Sequence, residues 1–207
     1  MKKNCTEVVF VLDRSGSMCG LEKDTIGGFN SLINKQKKQD GEVLVSTVLF
    51  NDSSVVIHDR KPIDEVRLMT NKDYEVYGCT ALLDALGSSI CHIGNIHKYA
   101  RVEDVPEHTM FVIITDGMEN ASRYYSKERV KSMIEYEKEK YGWEFLFLAA
   151  NMDAIDTASQ YGIDKDHAVN YQCDSVGTRL NYEVLDEAIQ CICSGVPLSK
   201  SWKSKIE

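Results

Sequence analysis

Three short stretches of this chain carry oxygen-bearing side chains in an arrangement suited to a hard cation. The first is Asp13-Arg14-Ser15-Gly16-Ser17-Met18, where a carboxylate and two hydroxyls recur at every second residue. In an extended or looping segment that spacing sends side chains into one cavity. Gly16 and Gly20 leave the backbone free for a tight loop. The second stretch, Tyr77-Gly78-Cys79-Thr80-Ala81-Leu82, adds the hydroxyl of Thr80, and the third, Ile113-Ile114-Thr115-Asp116-Gly117, adds a second carboxylate at Asp116. A hard divalent cation takes oxygen ligands, and Mg²⁺ prefers an octahedral set that retains some waters. Asp13, Ser15, Ser17, Thr80 and Asp116 form a partial set of that kind.

Such a set works only if the fold brings its members together. Glu7–Leu12, Met110–Thr115 and Glu144–Ala149 are apolar runs rich in Val, Ile and Phe. Runs of this type suit central strands of a parallel sheet, buried on both faces. Glu42–Phe50 and Ser54–His58 are also strand-like, and the turn residues Asn51-Asp52-Ser53 between them are too few for a crossover. That pair is expected to be an antiparallel hairpin at a sheet edge. A weak last strand is expected near Ala168–Tyr171.

Helical periodicity fills the gaps. One stripe is Leu21, Ile26, Phe29, Leu32 and Ile33, followed by Lys35, Lys37 and Lys38, whose charge suits a helix C-terminus. Thr80–Tyr99 is expected to be a helix with Thr80 as its N-cap. Ser126 caps a charged helix reaching about Tyr141, which Gly142 ends. Ala154–Tyr161 is a short helix, and Leu180, Val184, Leu185, Ala188, Ile189 and Ile192 stripe the last one. The alternation predicts an α/β fold: a doubly wound, mostly parallel six-stranded sheet with one antiparallel edge strand and helices on both faces. Ligands of such sheets bind beyond the carboxyl ends of the parallel strands. Asp13 and Asp116 both fall at such ends, and the Thr80 loop opens a helix between them. We read a single domain over 1–207, with a core of about 7–194 and a C-terminal tail at 195–207.

Asp13-x-Ser15-x-Ser17, then Thr80, then Asp116-Gly117 resembles the metal-ion-dependent adhesion site of von Willebrand factor type A domains. The order of the three segments and the alternation of strands and helices both match, from about Glu7 to Ile192. One departure is Cys79, where many relatives have Gly before the threonine. The resemblance implies that the serines and Thr80 coordinate an ion directly, while Asp13 and Asp116 bind it directly or through water. It implies Mg²⁺, with Mn²⁺ or Ca²⁺ as alternatives, completed by an Asp or Glu carboxylate from a partner protein. It further implies a binding module and not an enzyme. For stand-alone bacterial proteins of this type it points to a chaperone-like ATPase or a stress-system protein as partner.

Composition is consistent with that reading. The chain has 24 Lys and Arg against 32 Asp and Glu, a net charge of −8. This balance disfavours nucleic acid and anionic membranes. The longest apolar runs, Met110–Ile114 and Phe145–Ala150, are far shorter than the ~18–20 residues of a membrane span. Seven cysteines, an odd number, fit reduced thiols and a cytoplasmic protein. Cys19 and Cys79 flank the site and are expected to be small buried side chains. Arg14 and Met18 are expected to be exposed and available to a partner, and Glu119 and Asn120 to sit on the rim. Asp84 reads as an ordinary polar helix position. His92 and His97, five apart on a helix, do not share a face, and the other histidines read as surface or loop residues.

The competing reading is a metal-dependent hydrolase or phosphatase using the same strand-end aspartates. Against it, position 15 is Ser where a second acid would be wanted, and Phe145–Ala150 ends without a lysine. No phosphate loop, dinucleotide fingerprint or nucleophile elbow is present.

Overall fold

In a computed structural model the chain is described over residues 1–196 and 198–206. Six strands form one sheet: β1 (Lys2–Asp13), β2 (Glu42–Phe50), β3 (Ser54–Pro62), β4 (Pro106–Thr115), β5 (Glu144–Ala149) and β6 (Ala168–Asn170). Their order is β3-β2-β1-β4-β5-β6, and only β3 runs antiparallel to its neighbour. Five α-helices connect them: α1 (Glu22–Gln36), α2 (Leu82–Tyr99), α3 (Lys127–Tyr141), α4 (Ala154–Gln160) and α5 (Ser175–Cys193).

The apolar runs explain the layering. Along β1, Val8, Phe10 and Leu12 belong to the core shared with α1 and α5, through Phe29, Leu32, Leu185 and Ile189. The alternate residues Val9 and Val11 belong to the opposite core, with Leu82, Leu86, Val130 and Ala154. A strand apolar at every position therefore needs helices on both faces, and it receives them. Phe10 meets Phe29 edge-on at 5.4 Å, while Phe111, Trp143 and Phe145 stack on the other side.

Local signals set several boundaries. The Ser126 hydroxyl accepts from the Arg129 amide, and Gly142, at φ 68°, ends α3 in the left-handed conformation expected of a glycine stop. The Asp174 carboxylate accepts from the Val176 and Gly177 amides and starts α5 five residues before its apolar stripe. Two strands extend beyond their apolar runs. β1 begins at Lys2 and β4 at Pro106, because polar residues at their outer ends still find backbone partners.

β3 continues past His58 to Pro62 through an irregular register against β2. There Arg60, at φ 45°, donates its amide to the Ser46 hydroxyl and reaches across β2 to Glu7. His58 is a correction: it is buried on β3, with Nδ1 3.0 Å from the Thr47 hydroxyl. Within the stretch read as a tail, Pro197 and Glu207 lie outside the described residues. A short turn at Lys200–Lys203 packs down instead, with Trp202 Nε1 donating to the Asp166 carbonyl and Lys203 Nζ to that of Ala168. Among the described residues no helix is long and apolar enough to cross a membrane.

Candidate metal centre

β1 and β4 are adjacent and parallel, so their carboxyl ends deliver Asp13 and Asp116 to the same edge of the sheet. Beyond β1 the chain makes a 3₁₀ turn at Gly16–Met18, which returns Ser17 toward β4. The Ser15 and Ser17 hydroxyls lie 3.1 Å apart, and Ser17 Oγ donates to Asp116 Oδ1 at 2.5 Å. Asp13 is held from two sides. Its Oδ1 accepts from the Ser15 amide at 2.7 Å, and its Oδ2 from the Thr115 hydroxyl at 2.6 Å.

The third segment is laced to the first. The Gly16 amide donates to the Gly78 carbonyl, and the Tyr77 amide to that of Arg14. Gly78 takes φ 78°, a conformation that favours glycine, above the Asp52 carboxylate, which accepts from the Cys79 amide. Asn51 adds two contacts: its side-chain amide donates to the Tyr77 carbonyl, and its own carbonyl accepts from the Ala81 amide. The Asn51-Asp52-Ser53 turn thus does more than reverse the chain; it positions the loop that carries Thr80.

Gly117 marks where the three segments meet. A Cβ at that position would lie 2.9 Å from Thr80 Oγ1, 3.1 Å from Ser17 Oγ and 3.7 Å from Ser15 Oγ. Three hydroxyl oxygens therefore surround a space that any side chain on residue 117 would enter, and the Asp116 carboxylate reaches Ser17 at its border. Asp13 and Asp116 are each only 1% exposed. Burial raises the pKa of both carboxyls, and the Asp116 charge raises that of Asp13 further. Two buried acids facing one another repel, and an intervening cation reverses the sign of that interaction. The donor set is hard oxygen and fits Mg²⁺, Mn²⁺ or Ca²⁺. No group of three or more His, Cys, Asp or Glu suited to a metal occurs among the described residues, so the hydroxyls are indispensable to such a site.

No protein-family model matches the chain, and no curated protein matches it. Solved structures do. The von Willebrand factor domain of the type V pili tip protein Mfa5 from Porphyromonas gingivalis superposes with a TM-score of 0.68 at 11% identity, over 94% of this chain and 97% of that one. The fold is that of a von Willebrand factor type A domain. A von Willebrand factor type A structure from Catenulispora acidiphila aligns with a TM-score of 0.57 at 11% identity, over 89% of this chain and 42% of that one. Proximal thread matrix protein 1 from the mussel byssus, solved with zinc in its adhesion-site motif, aligns with a TM-score of 0.60 at 15% identity. That alignment covers 91% of this chain and 47% of the mussel protein, so the chain spans under half of the latter two.

Within this type A fold several residues take roles different from those expected. Thr80 is not the cap of α2. The helix begins at Leu82, and Glu119 accepts from the Leu83 amide at 2.9 Å, while Asn120 accepts from the Thr80 amide. A carboxylate from the loop after β4 replaces the local cap and leaves the Thr80 hydroxyl beside Gly117. Asp84 returns the favour, accepting from the Arg123, Tyr124 and Tyr125 amides. Glu119, Asn120 and Asp84 thus bind the 116–126 loop to α2.

Arg14 and Met18 are buried, not exposed: Met18 joins the α1/α5 core, and the Arg14 guanidinium lies 5.5 Å from the Tyr77 ring centre. Cys19 and Cys79 are exposed, not buried. Three contributors went unforeseen. Thr115 orients Asp13, the Tyr74 hydroxyl donates to the Asp13 carbonyl, and Cys173 Sγ lies 3.5 Å from Asp116 Oδ2. Thr115 had a signal, adjacency to Asp116 at a strand end; Tyr74 and Cys173 sit in loops that no period marks.

Proposed function

We propose that this protein is a metal-ion-dependent protein-interaction module that holds Mg²⁺ through Ser15, Ser17, Thr80, Asp13 and Asp116. The convergence of the Ser15, Ser17 and Thr80 hydroxyls around Gly117, bordered by the Asp116 carboxylate, carries this reading. When bound, the cation supplies an electrophilic centre that accepts one more anionic oxygen. The chain's own residues do the rest. Neutral hydroxyls hold the position without cancelling charge, Thr115 and the Ser15 amide fix Asp13, and Asp116 orients Ser17. The remaining valence suits an Asp or Glu carboxylate on a partner protein, and the mussel protein's zinc-occupied motif supports a divalent ion on this fold.

The hydrolase reading is less well supported. Position 15 is Ser where a second acid would be wanted, and β5 ends at Ala149 without a lysine. Seven unpaired thiols support a reducing compartment, which we take to be the cytoplasm, and we place the partner among chaperone-like ATPases or stress-system proteins. Affinity capture with the parent and Asp13→Ala proteins, each with Mg²⁺ or with chelator, tests this. A protein retained only by the parent with Mg²⁺ is the expected result. Identical captures in all four conditions would remove the proposal.

A further inference from the structure

At the opposite end of the sheet, a cleft of about 440 Å³ opens between α2, α3 and the start of β4. That volume falls within the range of small-molecule sites. Its wall includes His97, Val105, Pro106, Tyr141 and Trp143, and Glu137 lines it from α3. α3 is otherwise a charged surface helix that buries only Val130 and Ile134 beside this acid. Glu137 is 9% exposed, and its Oε2 has no hydrogen-bond partner. Gly94 on α2 makes room for it: a Cβ there would lie 3.3 Å from Glu137 Oε1.

His97, Lys98, Glu107 and Lys140 also line the cleft, and each has a contact of its own: the Glu107 carboxylate accepts from the Asn4 amide. His97 Nε2 sits 2.6 Å from Glu7, which is fully buried and also pairs with Arg60 at 2.6 Å. Lys140 is held by the Tyr136 hydroxyl at 2.5 Å and lies over the Tyr136 and Tyr141 rings. Lys98 lies over the ring of Tyr99. Glu137 therefore carries a buried acceptor oxygen without a donor, in a cleft that Lys98, Glu107 and Lys140 line together with its apolar and aromatic residues. Burial raises the Glu137 pKa, against the opposing pull of His97 and Lys140. An unpaired buried carboxyl is costly, and a ligand N–H that reaches it relieves the cost.

We infer that this cleft binds a small organic cation, an amine carried on an aromatic or aliphatic body. The ammonium meets the Glu137 carboxyl, and the body lies against Trp143, Val105 and Pro106. Aromatic walls favour such a cation over its neutral analogue. β4 runs ten residues from Pro106 to Thr115, about 30 Å at ~3.3 Å per residue, so this site stands apart from the candidate metal centre.

Titration with phenethylamine, 2-phenylethanol and 3-phenylpropionate tests the inference, read by calorimetry and by the Trp143 indole N–H resonance. Saturable binding of the amine that shifts Trp143, weaker binding of the alcohol and none of the carboxylate are expected. Glu137→Gln should weaken the amine about tenfold, the factor that ~1.4 kcal/mol of lost charge-assisted hydrogen bonding provides. Val105→Trp, which adds bulk on the cleft wall, should abolish binding. The inference is overturned if the amine does not bind, if it binds Glu137→Gln as tightly as the parent, or if the carboxylate binds equally well. Melting curves of both variants establish that they fold.

Discussion

Mg²⁺ at about a hundred times its dissociation constant is expected to raise the melting temperature by about 5–10 °C, and Asp116→Ala to remove that rise. The size follows from linkage. A ligand at that ratio stabilises the native state by about 2.7 kcal/mol, and a domain of this length gains roughly 2–4 °C for each kcal/mol. The loss follows from geometry. Asp116 is the carboxylate bonded to Ser17, so its removal takes away both a charge and the group that orients a hydroxyl. The fold should survive, since burial disfavours the Asp116 carboxylate when no cation faces it. Unchanged circular dichroism with a flat response to Mg²⁺ is the predicted pair of observations. A variant that still melts higher with Mg²⁺ would place the ion elsewhere.

Gly117→Ala makes a stronger demand, because it deletes no ligand. Its methyl group would stand 2.9 Å from Thr80 Oγ1 and 3.1 Å from Ser17 Oγ, within the space that the hydroxyls enclose. We expect Mg²⁺ affinity to fall on the order of 100-fold, the upper end of what disturbing a site's supporting groups costs. Gly27→Ala is the matched control. It lies in α1, and an added Cβ meets nothing within 4 Å. A helix-interior Gly to Ala change there should leave affinity unchanged and be neutral or slightly stabilising. Calorimetric titration of the two variants separates them. Equal affinities would mean that the ion does not sit among the three hydroxyls.

The fold was legible because its strands are apolar at successive positions, a pattern that suits a sheet covered on both faces, and because helical stripes alternate with them. Val8 through Leu12 and Phe145 through Ala149 fix the centre, and the short Asn51–Ser53 turn fixes the antiparallel edge. The five candidate ligands were legible because each lies at a strand end or in a loop opening a helix, places set by local pattern. What escaped reading was long-range. Glu119 replaces Thr80 as the partner of the α2 amides from 36 positions away along the chain, and Asp52 reaches the Cys79 amide across 27. Arg14 looked like a solvated loop residue, yet its burial beside Tyr77 depends on how two loops meet. The expected strand ended at His58, which read as a surface or loop residue; β3 instead runs on to Pro62, with Arg60 reaching Glu7, and His58 is buried. Periodicity records which face a residue takes. It does not record which distant carboxylate finds an unpaired amide.

The most direct test is a crystal of the protein soaked in Mn²⁺ and examined by anomalous scattering. A single strong peak among Ser15 Oγ, Ser17 Oγ and Thr80 Oγ1, beside the Asp116 carboxylate and absent from Asp116→Ala crystals, is the predicted result. No peak there, or a peak elsewhere that Asp116→Ala leaves in place, would contradict the account.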